Sequence, residues 1–205
     1  MLREIASSAR LEESDVRQYL SSSSVATALD HGEIVEYWKS APYLLNFMDE
    51  YELKKSFRAA VGSGGTPELY HALSQPAAGL LPWDDVLAYR KIDPANSRLR
   101  ALLQDTVEKD LWKMLWMPPS MPYYSLGGAF AGGRSLETTK RLVFSSWKVV
   151  PKVIATVLSH EAERRMIGSS YSEGDDVTIT NSTEGRKRIA ALLRFTRADG
   201  RLTGM

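Results

Sequence analysis

Apolar positions recur along most of the chain at helical rather than strand spacing. Val16, Leu20, Val25 and Leu29 follow Asp15, a residue suited to capping, and predict a helix over residues 15–29. A second helical stretch covers 34–61 and is interrupted at Ala41-Pro42. Proline is tolerated in a first turn, so Pro42 is expected to start a new helix there. Tyr43, Leu44, Phe47, Met48, Tyr51 and Leu53 give that helix a wide apolar face, and Gly62-Ser63-Gly64-Gly65 ends it. Short helices are expected over 67–73 and 83–89, separated by a Pro/Gly-rich loop over 75–82. Leu99, Leu102, Leu103, Val107 and Leu111 then mark an amphipathic helix.

The pattern changes further along. Pro118, Pro119 and Pro122 remove backbone donors, so 117–122 is expected to be neither helix nor central strand. A glycine-rich loop over 127–133 follows. Residues 141–146, Arg-Leu-Val-Phe-Ser-Ser, are short, apolar and β-favouring, the best buried-strand candidate in the chain. Val150, Val153, Ile154, Val157, Leu158, Ala162 and Met166 come next at helical spacing, with Pro151 near the start. Strand, short loop and helix make the first half of a parallel α/β repeat. A polar loop over 171–176 and a basic helix over 183–195 complete the expected elements, and no internal repeat is visible.

The length of 205 residues suits one large or two small domains, and 43% hydrophobic with 25% charged residues is the composition of a globular protein. Cysteine is absent, which excludes disulfides, thiolate metal sites and thiol catalysis and agrees with a reducing, cytoplasmic setting. The opening residues Met1-Leu2-Arg3-Glu4-Ile5-Ala6 lack the apolar run of a secretory signal, and no stretch reaches the roughly 20 apolar residues of a membrane span. The net charge of +1 is uninformative, but its distribution is not. Glu12, Glu13, Asp15, Glu33, Glu36, Asp49, Glu50 and Glu52 make the first sixty residues acidic. From Arg134 onward Lys140, Arg141, Lys148, Lys152, Arg186, Lys187, Arg188, Arg194, Arg197 and Arg201 outweigh the acids, which points to a polyanion.

Several motifs lack the context their chemistry requires. Gly128-Ala129-Phe130-Ala131-Gly132-Gly133-Arg134-Ser135 has P-loop spacing, but carries Arg134 where lysine belongs, and a proline-rich loop precedes it; it reads as a linker. His160-Glu161 begins like a zinc-protease helix, but Arg164 stands where the second histidine should be, so it reads as a surface pair. His31 and His71 have no nearby ligand partners, and Asp84-Asp85 and Asp175-Asp176 read as solvated loop acids. Trp112, Trp116, Tyr123 and Tyr124 offer either a base-stacking platform or core aromatics, with core favoured. Arg186-Lys187-Arg188 is either a solvated face or a phosphate contact.

Lys140-Arg141-Leu142-Val143-Phe144-Ser145-Ser146-Trp147 resembles the strand that opens the second RecA-like lobe of superfamily 2 helicases, especially Swi/Snf-type ones. The stretch 115–165 is similar to large bacterial helicase-related proteins, and Glu36-Tyr37-Trp38-Lys39-Ser40-Ala41-Pro42-Tyr43 resembles the connection between their two motor lobes. The resemblance implies an α/β, helix-dominated fold: a helical inter-lobe region over about 1–110, then the start of a RecA-like parallel lobe over 111–205. The family's Gly-Lys-Ser/Thr loop and Asp-Glu-x-His motif do not occur here, so ATP and magnesium are expected only in a complete parent protein and no cofactor in this chain. In the family, the loop after this strand lies near the nucleic-acid backbone. Ser145, Ser146 and Lys148 match it, and Lys152 on the next helix is a looser match. The partners this implies are DNA or RNA backbone and the remaining helicase lobes, with no membrane and with homo-oligomerisation open. The competing expectation is a helical protein-interaction module that binds no nucleic acid.

Overall fold

The computed structural model describes residues 9–32, 34–75, 79–116, 141–170, 180–182, 184, 195–198 and 201–204. Eight α-helices carry it: α1 (Glu13–Ala28), α2 (Val35–Ser40), α3 (Leu44–Phe47), α4 (Glu52–Gly62), α5 (Pro67–Ser74), α6 (Trp83–Leu87), α7 (Ser97–Asp105) and α8 (Val149–Ser170). Two 3-10 turns, Val107–Lys109 and Leu111–Trp116, follow α7. The helix-dominated expectation holds. The only sheet among the described residues is an antiparallel hairpin, β1 (Phe195–Ala198) with β2 (Arg201–Gly204), in which Phe195 pairs with Gly204 and Ala198 with Arg201. No parallel α/β lobe is present among them.

Local chemistry accounts for the helix limits. Asn96 caps α7, its Oδ1 accepting from the N–H groups of Arg98 (3.1 Å) and Leu99 (3.0 Å). Its Nδ2 donates to the Trp38 carbonyl (3.0 Å), so the same cap ties α7 to α2. Thr66 Oγ1 caps α5 through Leu69 N–H (3.2 Å), with Pro67 in the first turn. Gly65, at φ +68°, stops α4 by donating its N–H to the Ala60 carbonyl (2.8 Å).

Val25, Met48, Leu69 and Val153 are almost fully buried and belong to one core cluster. Val149, Val150, Val153 and Val157 bury one face of α8 in that core, and α3 packs against this helix. The core therefore joins α8 to residues of α1 to α5 and of α7. A smaller cluster, Tyr43, Val86, Ile92 and Ala95, holds the loop after α6. Tyr43, at φ 54°, donates its hydroxyl to the Asp93 carbonyl (2.5 Å). Burial, then the charges of Asp93 and Asp85, push the Tyr43 phenol well above its ordinary range.

Several expectations need correction. Residues 141–146 form no strand: they lie outside regular structure, the backbone bends at Ser146, and Leu142 (80% exposed) and Phe144 (88%) face solvent. A strand exists only through pairing, and no described strand lies beside this one. Asp15 is not the N-cap of α1; Glu12 is, and the Asp15 carboxylate accepts from the Glu12 N–H (2.9 Å). Helix α3 begins at Leu44, with Tyr43 rather than Pro42 before it. The helix over 99–111 ends at Asp105, where the chain turns at Thr106. Asp84 and Asp85 lie in the first turn of α6, not in a loop. The short helices at 67–73 and 83–89 and the helix at 150–166 appear as α5, α6 and α8. The glycine-rich segment 128–135, Tyr123, Tyr124, Asp175-Asp176 and Arg186-Lys187-Arg188 lie outside the described residues. So does nearly all of the basic helix over 183–195, whose last position, Phe195, opens β1.

Candidate nucleic-acid interface

The four residues singled out from the sequence gather at the start of α8. Ser145 Oγ accepts from the Trp147 N–H (3.1 Å), a local serine turn that leads the chain into the helix. Ser145, Ser146 and Lys148 are exposed, and Lys148 makes no ion pair among the described residues. One turn on, Lys152 Nζ lies 3.6 Å from Asp49 Oδ2 and 5.9 Å from the Phe47 ring centroid. Two hydroxyls and two ammonium groups thus share one end of α8.

Aromatic packing sets the position of this end. Trp147 is half-buried, with its ring 4.9 Å from Tyr37 and 6.2 Å from Tyr51, and those two tyrosines meet edge to face at 6.0 Å. The trio joins α2, the turn before α4 and the entry to α8, so Trp147 has the packing role expected of it. Two residues that sequence reasoning missed join this end, Asp49 from the turn before α4 and Arg58 from α4 itself. Asp49 Oδ1 accepts from Arg58 Nη2 at 2.6 Å while its other oxygen faces Lys152. Arg58 and Lys152 lie far apart in sequence, and no local motif links them.

The other polar constellations are structural. A cavity of about 370 Å³ is lined by Glu12, Lys91, Asp93, Arg100, His160 and Glu161, among others. Arg100 is committed to Asp15 (2.7 Å) and Glu12 (2.9 Å). His160 and Glu161 are each only 7% exposed, which corrects the reading of a surface pair. His160 Nε2 donates to the Arg90 carbonyl (2.9 Å), and its ring stacks on Tyr89 at 5.8 Å. Burial pushes the Glu161 carboxyl up, but hydrogen bonds from Arg164 (2.7 Å) and Arg165 (2.8 Å) outweigh it and hold it below the usual range. Trp112 is buried, with Nε1 donating to Asp110 Oδ1 (3.2 Å), as its core reading requires. His31 makes a hydrogen bond with Ser56 Oγ at 2.9 Å, which is not a metal-ligand pairing. Among the described residues no cluster of His, Asp and Glu could hold a metal ion, and no helix is long and apolar enough to cross a membrane.

The chain matches no protein-family model, and comparison with curated proteins and with solved structures finds no similar one. The fold and site define a helical domain with a cationic, hydroxyl-bearing helix start beside an exposed apolar segment.

Proposed function

We propose that the chain belongs to an ATP-dependent nucleic-acid motor of the superfamily 2 helicase kind, in which it contacts the nucleic-acid backbone and couples the two lobes. The observation that carries this reading is the segment Leu142-Val143-Phe144 ahead of α8. Strands at the centre of parallel sheets are covered on both faces and read as continuous apolar runs. This run has that composition, yet Leu142, Val143 and Phe144 are 80%, 45% and 88% exposed. A strand awaiting its sheet, with its following helix already formed, accounts for both facts. The resemblance of 140–147 to the opening strand of the second helicase lobe points the same way.

In this reading Ser145, Ser146 and Lys148 bind phosphate oxygens through hydroxyl, ammonium and backbone N–H groups, and Lys152 adds charge from the next turn. Such contacts hold a strand in place without reading its sequence. The rest of the RecA-like lobe covers the apolar segment. ATP and magnesium belong to the complete motor, and no step of hydrolysis is assigned to this chain.

Fluorescence anisotropy of labelled single- and double-stranded DNA and RNA against the chain, from low to physiological salt, tests the proposal. Binding is expected to weaken steeply with salt, and Lys148→Ala to reduce the slope of log affinity against log salt by about 1. Absence of binding at low salt would sink it. The second reading, a protein-interaction module, would then hold, because an exposed apolar segment on a stable helical body equally suits a protein partner.

A further inference from the structure

We propose that Asp49 is an internal competitor for nucleic acid: its carboxylate stands where a backbone phosphate binds, and an entering strand displaces it to recruit Arg58 and Lys152. The inference rests on the nucleic-acid reading of the α8 start and extends that surface to α4.

The geometry is that of an anion shared between two cations. Asp49 Oδ1 takes Arg58 Nη2 at 2.6 Å and Oδ2 faces Lys152 Nζ at 3.6 Å. A phosphate presents the same kind of oxygens to a guanidinium and an ammonium, with greater charge. All three side chains are open to solvent, Asp49 at 45%, Arg58 at 59% and Lys152 at 57%, so a ligand can reach them. Asp49 lies in the turn between α3 and α4, outside either helix, where its release disturbs no helical hydrogen bond. Lys54 adds a third cation on α4; its ammonium is pushed below its ordinary range by burial and by Arg58, while Asp49 acts the other way.

The energetic argument concerns which anion wins. An exposed ion pair is worth little, because water and salt compete for both partners. A polynucleotide brings several phosphates at once and releases condensed counterions on binding. Ser145, Ser146 and Lys148 hold the strand nearby, so its next phosphate meets Asp49 at high local concentration. Strand binding then exchanges one intramolecular anion for a stronger one. The cationic strip lengthens from the α8 start to Arg58. Without nucleic acid, the single charge of Asp49 offsets part of the charge of Arg58 and Lys152 and weakens attraction to unrelated anions.

The test compares Asp49→Asn with Glu68→Gln, an equal charge change at an exposed position on α5, in anisotropy titrations with a labelled single-stranded DNA 20-mer. Asp49→Asn is expected to tighten binding about two- to fivefold at low salt, the scale of one surface ion pair, and to steepen the salt dependence. Glu68→Gln is expected to change little. In an Arg58→Ala, Lys152→Ala background the gain from Asp49→Asn disappears, which separates relief of these two cations from a general charge effect. If wild type binds and Lys148→Ala weakens it, but Asp49→Asn gains no more than Glu68→Gln, the competitor role is overturned and the nucleic-acid reading stands. If no variant binds, both fall.

Discussion

Arg100 holds a carboxylate that water does not reach. Asp15 is 0% exposed and receives Arg100 Nη1 and Nη2 at 2.7–3.1 Å as well as the Glu12 N–H, locking α1 to α7. Removing one member of a buried pair leaves an uncompensated charge, so Arg100→Ala is expected to cost about 3–5 kcal/mol in urea unfolding. Asp15→Asn with Arg100→Met, which removes both charges, is expected to cost less. Hydrogen bonds from Arg141 and Lys109 hold Asp105 below its ordinary range, and Glu161 is held low by Arg164 and Arg165. A folded pKa below the unfolded one gives stability that is complete above the unfolded value and lost as pH falls through the folded one. Unfolding midpoints are therefore expected to be insensitive to these two groups from neutrality to about pH 5 and to drop below about pH 4. Asp105→Asn with Glu161→Gln should flatten that drop.

At the level of elements, 142–144 is the feature on which sequence and structure part. Because Leu142 and Phe144 touch little, Leu142→Ser with Phe144→Ser is expected to leave the melting temperature nearly unchanged. The same change should lower self-association and dye binding by exposed apolar surface, as read by light scattering and fluorescence. Measurable destabilisation would mean that these side chains are packed in solution. Helix α8 was legible because its buried face repeats at Val149, Val150, Val153 and Val157, a period the chain carries within itself. A strand carries no such self-sufficient signal, since its partners are other segments. The end of α7 at Thr106 was hidden for a similar reason: Leu99, Leu103 and Val107 keep helical spacing across the turn, and all three enter the core. His160 and Glu161 could not be recognised as buried, because the Arg90 carbonyl that receives His160 lies in a loop far away in sequence. Lys148 and Lys152 were singled out by local resemblance, whereas the pairing of Asp49 with Arg58 and Lys152 arises only through tertiary packing.

Across the whole molecule, one apolar core connects the first helix with α8. Met48, only 1% exposed, is a central part of it. Met48→Ala is expected to cost about 2–5 kcal/mol, the range for truncating a buried methionine. Far-UV circular dichroism and tryptophan fluorescence should report the same loss in a single transition, because helices on both sides of 117–140 share these contacts; separate transitions would show that α8 unfolds independently. The exposed segment has a further consequence. Phe144 offers a chymotrypsin-type protease an accessible bond outside regular structure, while Val149, Val150 and Val153 just beyond it are buried. Nicking there severs the covalent path into α8 but not its seat in the core. The two pieces should migrate as one under native conditions and part only in denaturant. Co-expressed from separate genes, they should reassemble, making this a polypeptide that tolerates being made in halves.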